Sequence, residues 1–287
     1  MTLKEIIHEI FCKECDETKK GLKDKNIRLM NEEFLLQNKL KNCDDEKAVL
    51  KETINNPPDE SKEAKYWNNK YPKADIYYNG REVPNNDKLI SVDVKLFVTP
   101  NDSYVKGEVK RFGLEIKNPK KCNDDILKIY KHCRKGAYYK RDKDEVGFGE
   151  YWMFPFEFIA LKKHGDCEDN AHYISSMLIA AGLPEWRVRV VCGLTRNGFG
   201  HSTVYVLADD LKTWYHINST GGKEYLDDLT KFPTTDDKKD TLGIKHVWFS
   251  FNNKYAWHTF KTESAAKSFD SEKIPVLIKM SNKYIKE

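Results

Sequence analysis

The chain predicts an α+β fold, and three observations carry that expectation. Residues 167–181 place Ala171, Ile174, Leu178 and Ala181 at helical spacing. Extended runs follow at 187–192, 201–207 and 213–218, joined by short polar or Gly-rich turns, and further strand-like runs lie upstream and downstream of that block. A helix that feeds successive strands across short turns has one economical partner, an antiparallel sheet against which it buries its apolar side.

The first 55 residues read as helix throughout. Leu22, Leu29, Leu36, Cys43 and Leu50 recur at every seventh position, which predicts a coiled coil or a helical hairpin. Glu33 and Lys47 interrupt the second apolar row and argue against a long supercoil. Residues 1–55 are therefore expected to form a helical arm, suited to self-association or docking. His8, Cys12 and Cys15 would share a helix face, with Cys43 on a second helix, but the intervals match no standard zinc finger and packing is the simpler reading. Pro57-Pro58 ends the arm within a polar linker at 56–63, leaving 64–287 as one main domain.

Within that domain, Asn79-Gly80 is the dipeptide of a tight hairpin turn, here flanked by extended residues 75–83. Ile90, Val92, Val94, Leu96 and Val98 alternate as a half-buried strand, and Ile126, Ile129, Tyr130 and Cys133 mark a helix over 123–134. Residues 246–251 and 276–280 read as strands, and no internal repeat is present.

Composition excludes several functions. The 49 basic and 45 acidic residues nearly balance, so the net charge of +4 supplies no phosphate-tracking stripe and no nucleic-acid partner is expected. No apolar stretch approaches the roughly 18 residues of a membrane span, and residues 1–9 lack the apolar core of a secretory signal. A cytoplasmic protein, or one carried in a particle, is expected, without membrane partners. Seven cysteines, dispersed and odd in number, do not form a disulfide framework and fit a reducing compartment.

The chemistry concentrates around Cys167. Asp166 is the natural N-cap of the helix, and Cys167 falls at its first position, where unpaired N–H groups and the helix dipole favour a thiolate. Gly182 and Pro184 end the helix. His201 opens the second strand after it, and Asn218 closes the third; antiparallel pairing would set the two side by side on one face. A cysteine nucleophile needs an imidazole as proton acceptor and a third group that orients the ring, and Cys167, His201 and Asn218 supply those types in that order. Asp209 and Asp210 are the substitutes for Asn218, although they sit in a turn. Strand alternation and helix phase are expected to turn His216 and His172 away, while His164 reads as a loop residue rather than a second base, and Glu157 and Trp152 read as structural.

Residues 151–161, Gly165-Asp166-Cys167-Glu168-Asp169, Gly200-His201 and Trp214 to Thr220 together resemble the transglutaminase-like superfamily, closest to its bacterial and phage cysteine proteases. The resemblance covers about residues 150–222. It implies a papain-like, transglutaminase-like core, in which a helix bearing the nucleophile packs on an antiparallel sheet, with 64–287 as the catalytic domain and Cys167 and His201 as nucleophile and base. The family usually has Asp where this chain has Asn218; an amide oxygen still accepts from an imidazole but brings no charge to stabilise the imidazolium. Some relatives, secreted adhesin-cleaving proteases, use calcium through the acids flanking their cysteine, which makes Asp166 and Glu168 candidate calcium ligands here. Helix capping by Asp166 and Asp169 is the competing explanation.

The expected activity is acyl transfer from a protein or peptide amide through a thioester on Cys167, with the Cys167 backbone N–H as oxyanion donor. Resolution by water gives hydrolysis, and resolution by an amine gives transglutamination. The alternative is a non-catalytic structural or binding protein, such as a phage particle component, that keeps the fold.

Overall fold

The computed structural model describes residues 61–82, 89–146, 150–220, 228–260 and 276–280. The helical arm at 1–55, the cysteines proposed within it and most of the linker lie outside the described residues. Ser61 is the N-cap of α1 (Lys62–Asn69), accepting from the Ala64 N–H at 3.1 Å, so the end of the expected linker is already the start of a helix. Among the described residues, no helix is long and apolar enough to cross a membrane.

The chain is α+β. After α1 come β1 (Ala74–Glu82), β2 (Leu89–Asp93), α2 (Ser103–Phe112), α3 (Asn123–Arg134), β3 (Tyr138–Tyr139), α4 (Asp142–Glu145), α5 (Pro155–Ala160) and β4 (His164–Gly165). Then follow α6 (Cys167–Ala180), β5 (Val188–Thr195), β6 (Gly200–Leu207), β7 (Trp214–Ile217), β8 (Ile244–Phe251), β9 (Ala256–His258) and β10 (Val276–Met280). The main sheet has the order β7-β6-β5-β8-β9, with every neighbouring pair antiparallel. A second sheet has the order β10-β1-β2, and β3 pairs with β4 in parallel.

Helix α6 packs on β5 and β6 and is covered on its other side by α2, α3 and α5. It is buried from Glu168 to Leu178, all round rather than along one stripe. Its apolar spacing therefore marks one face of a central helix, whose polar residues must find partners inside the protein. It ends as expected, with Gly182 at φ 108° and Pro184 beyond it.

Two upstream expectations are corrected. Asn79-Gly80 makes no turn, because β1 runs straight through it. A Cβ at Gly80 would lie 2.1 Å from the Tyr78 hydroxyl, so the glycine is there to let the Tyr78 side chain lie along its own strand. The expected strand at 90–98 stops at Asp93, whose carboxylate accepts from the Lys95 N–H at 3.0 Å and starts a 3-10 turn over Val94–Phe97.

That turn delivers Phe97 to an aromatic cluster that fixes the start of α6. Phe97 stacks on Phe154 at 4.7 Å and on His172 of α6 at 5.0 Å, and Trp152 stacks on Tyr78 at 4.8 Å. The Tyr78 hydroxyl donates to the Glu150 carbonyl at 3.0 Å and accepts from the Trp152 N–H at 3.3 Å. Residues 150–154 are thereby pinned beside the first turn of α6.

Candidate active site

Cys167 occupies the first position of α6. The turn into the helix requires Gly165, where a Cβ would lie 2.5 Å from Asp169 Oδ2. Both oxygens of Asp169 are committed to backbone: Oδ2 accepts from the Asp166 N–H at 3.1 Å and Oδ1 from the Met153 N–H at 2.8 Å. Asp169 is thus the residue that closes the helix start, as capping predicts.

The thiol donates to Glu168 Oε2 at 3.2 Å and accepts from the backbone N–H of Ser202. Ser202 lies on β6 two residues before Val204, where pairing with β7 begins. Burial pushes the Cys167 thiol well above its ordinary value; the Asp166 charge adds to this, and the bonds from Ser202 and Glu168 offset only part of it.

His201, Thr203 and Tyr205 alternate onto one face of β6, and Asn218, His216 and Trp214 share that face across the strand gap. His201 is hydrogen-bonded to the Asn218 side chain, an interaction that favours the protonated ring. Burial outweighs it and, with the neighbouring His216, lowers the imidazole to about 4, so the ring is neutral at pH 7. Its Nε2 is buried without a hydrogen-bond partner. The thiol is therefore bonded to Glu168 and to the residue after His201, and not to the imidazole itself.

His216 does not turn away. Period two puts it on the Asn218 face, where it bonds Thr203 Oγ1 at 2.8 Å and pairs with Asp240. Asp209 and Asp210 serve other ends. Asp209 accepts from the Cys122 and Asn123 N–H groups at 2.9 and 3.0 Å, at the start of α3, and pairs with Arg187 at 3.1 Å. Asp210 closes its own turn onto Lys212 and Thr213. His172 and Glu157 have structural roles, His172 buried against the Met153 carbonyl at 3.1 Å and Glu157 accepting from the Phe154 N–H at 2.7 Å; His164, expected in a loop, instead lies on β4, paired with β3.

Helix α3 supplies a clamp that the sequence does not announce. The Tyr130 hydroxyl donates to the Asn218 carbonyl at 3.2 Å. Arg134 Nη1 donates to Asn170 Oδ1 at 2.8 Å and to the Ser219 carbonyl, tying the end of β7 to the first turn of α6. Asn170 in turn donates to the Asp166 carbonyl at 2.7 Å. Arg134→Ala strands both acceptors, and we expect a loss of about 2–3 kcal/mol, read as a fall of roughly 5–10 °C in melting temperature. A change below about 2 °C would remove Arg134 from this role.

The acids form one buried cluster. The ligand oxygens of Asp142, Glu150 and Glu168 lie within 4.8 Å of one another, as do those of Asp142, Asp166 and Asp169, and those of Asp166 and Glu168 with the Cys167 sulfur. Asp142 Oδ1, Asp166 Oδ1 and Glu168 Oε1 are buried with no hydrogen-bond partner. Burial raises every member, Asp142 to about 8 and Glu150 to about 7, with Asp166 and Glu168 also raised; the Asp166 charge adds to the rise of Asp142, Glu150 and Glu168, while Asp166 itself is held down in part by its hydrogen bonds with Glu168 and with the Cys167 backbone. Such clustered oxygens can bind an ion. The oxyanion expectation changes with it, because the Asp166 carboxylate holds the Cys167 and Glu168 N–H groups. Asp142 and Glu150 carry no sequence signal of this role; they reach the cluster only through α4 and through the segment pinned by Tyr78.

No family model matches the chain, and no curated protein matches it. Among solved structures, the chain is similar at low identity to Legionella pneumophila LapG: 18% identity, 62% of this chain, 92% of that one, TM-score 0.41. The calcium-bound form of LapG gives 20% identity over 54% of this chain and 76% of that one, and an EGTA-treated form 19% over 61% and 90%, both with a TM-score of 0.41. At these values the chemistry rests on the residues of this chain alone.

Proposed function

We propose that the protein is a cysteine-dependent amide hydrolase, acting on a protein or peptide through a thioester on Cys167, with its thiol governed by a divalent cation in the acid cluster. The observation that supports it most is the meeting of three elements at one strand end. The thiol at the start of α6 bonds the Ser202 N–H, the preceding residue is His201, and the His201 ring is held by Asn218.

In this reading His201 takes the thiol proton through its unpartnered Nε2 and returns it to the leaving amine, while Asn218 keeps the ring in place. The Ser202 N–H, already directed at the sulfur, is the donor assigned to the oxygen of a tetrahedral intermediate in this reading. Water then resolves the thioester.

The unpartnered oxygens of Asp142, Asp166 and Glu168 fit a hard cation, with Glu150 as the fourth carboxylate, and calcium is the ion suited to that donor set. When bound, it supplies positive charge that offsets the acids raising the thiol and competes for the carboxylate that now accepts the thiol proton.

The test is alkylation of Cys167 by iodoacetamide across pH, read by peptide mass spectrometry. Calcium is expected to speed alkylation at pH 7 by at least about tenfold over chelator, through a lowered thiol pKa, and His201→Ala to remove that gain. Equal rates in all conditions would overturn the reading. Asn218→Asp places a carboxylate where the imidazole now meets an amide, and we expect the His201 pKa to rise by about 1–2 units. The proton NMR titration of His201 checks it; an unchanged midpoint would place Asn218 out of contact with the ring.

A further inference from the structure

The face of the main sheet opposite α6 holds a cavity of about 330 Å³, within the size range of small-molecule sites. The faces are separable by register: Phe251 pairs with Val190 and lies 5.8 Å from His172 of α6, so Arg189 and Val191 point to the other side. The cavity is walled by Tyr71, Trp214 and Trp257 and floored by Arg189 and Tyr205.

Arg189 is 5% exposed, yet no carboxylate meets it among the described residues. Its guanidinium lies 4.0 Å from the centroid of Trp257, with Tyr71 and Trp214 at 5.2 and 5.3 Å. Nη2 donates to the Trp67 carbonyl at 2.7 Å, while Nε is buried without a partner. Burial lowers the group to about 10, so it remains cationic at pH 7. A buried guanidinium stacked on aromatic rings with an unused edge donor is costly unless an acceptor arrives. The other polar lining points the same way. Arg196 and Lys245 outnumber the one acid in the lining, Asp236.

We propose that this cavity is a ligand site for an organic carboxylate with an aromatic or similarly flat apolar body, its carboxylate on the edge of Arg189 and its body against Trp214 and Trp257. The carboxylate is favoured over a phosphate because one planar fork matches two oxygens, whereas a dianion would ask for more buried donors than the walls present. By the same register His201 and Asn218 lie on this face of the sheet, but neither lines the cavity, and the ligand site uses neither of them.

The experiment is isothermal titration of the full chain, cross-checked by tryptophan fluorescence, with phenylacetate, N-acetylphenylalanine, phenylacetamide and phenyl phosphate as probes. One or both of the acids should bind at a single site, at least tenfold more tightly than the neutral amide. Binding of phenylacetate points to a free acid as the natural ligand, and binding of N-acetylphenylalanine alone to a chain terminus. Arg189→Lys keeps the charge but loses the fork and should weaken the better acid at least tenfold. Should that variant unfold, Lys245→Gln, at an exposed rim position, should weaken it about threefold while leaving phenylacetamide unchanged. Acid and amide binding equally, phenyl phosphate alone binding, or no acid binding at all would each overturn the proposal.

Discussion

In the presence of a chelator, the melting temperature should fall by roughly 5–10 °C between pH 5 and pH 8, and calcium should restore most of that loss at pH 8 while doing little at pH 5. The direction follows from the cluster. Asp142 is raised to about 8 and Glu150 to about 7, from ordinary values of 3.8 and 4.5. Between those limits the folded chain holds protons that the unfolded chain has released, so stability rises as pH falls. The contribution is fully present below the unfolded values and is lost as pH climbs through the folded ones. Calcium binds the ionised carboxylates, and at a hundred times its dissociation constant it adds about 2.7 kcal/mol. Asp142→Asn should raise the melting temperature in chelator at pH 8 and shrink the calcium response. A profile in chelator that is flat, or that rises with pH, would mean the acids are already compensated.

Cys167→Ser and His201→Ala should each reduce peptide-bond cleavage by at least about a thousandfold, since the nucleophile and its base act as one unit. Digestion of a mixed peptide library in calcium, followed by mass spectrometry, reads cleavage at whatever bond the enzyme prefers. Both variants should melt within about 2 °C of the parent in chelator. Cys167 is at a half-buried helix start, and His201 takes its place in the β5–β6 ladder, opposite Gly193, through backbone that the substitution leaves intact. Cleavage that survives Cys167→Ser would move the chemistry elsewhere on the chain. No cleavage by the parent at any calcium level would favour the binding-protein alternative.

Much of this site is legible in the sequence because it is built from local rules. The helix start at Asp166, its end at Gly182, and the order of β5, β6 and β7 all follow from spacing and turn residues. Face-sharing by His201 and Asn218 follows from antiparallel pairing at period two, and the same period should have placed His216 with them. What is not legible is what tertiary contacts decide. Asn79-Gly80 has the chemistry of a turn, but Tyr78 needs the glycine in mid-strand. Asp142 and Glu150 stand 24 and 16 positions before Asp166 in the numbering and meet it only after the Tyr78, Trp152 and Phe97 cluster has closed. Arg134 looks like an ordinary basic residue in the last turn of a helix until its acceptors on α6 and after β7 are seen.

Strand β1 is central in its sheet only because β10 covers one edge, with Asp75 opposite Lys279 and Tyr78 opposite Val276. During synthesis those partners emerge from the ribosome about two hundred residues apart, long after the Cys167 helix and most of the main sheet have left the tunnel. Until Met280 is out, the nascent chain presents the bare backbone edge of β1 to whatever extended segment is nearby. Chains truncated before residue 276 and released from the ribosome should therefore hold a folded main sheet and still engage chaperones.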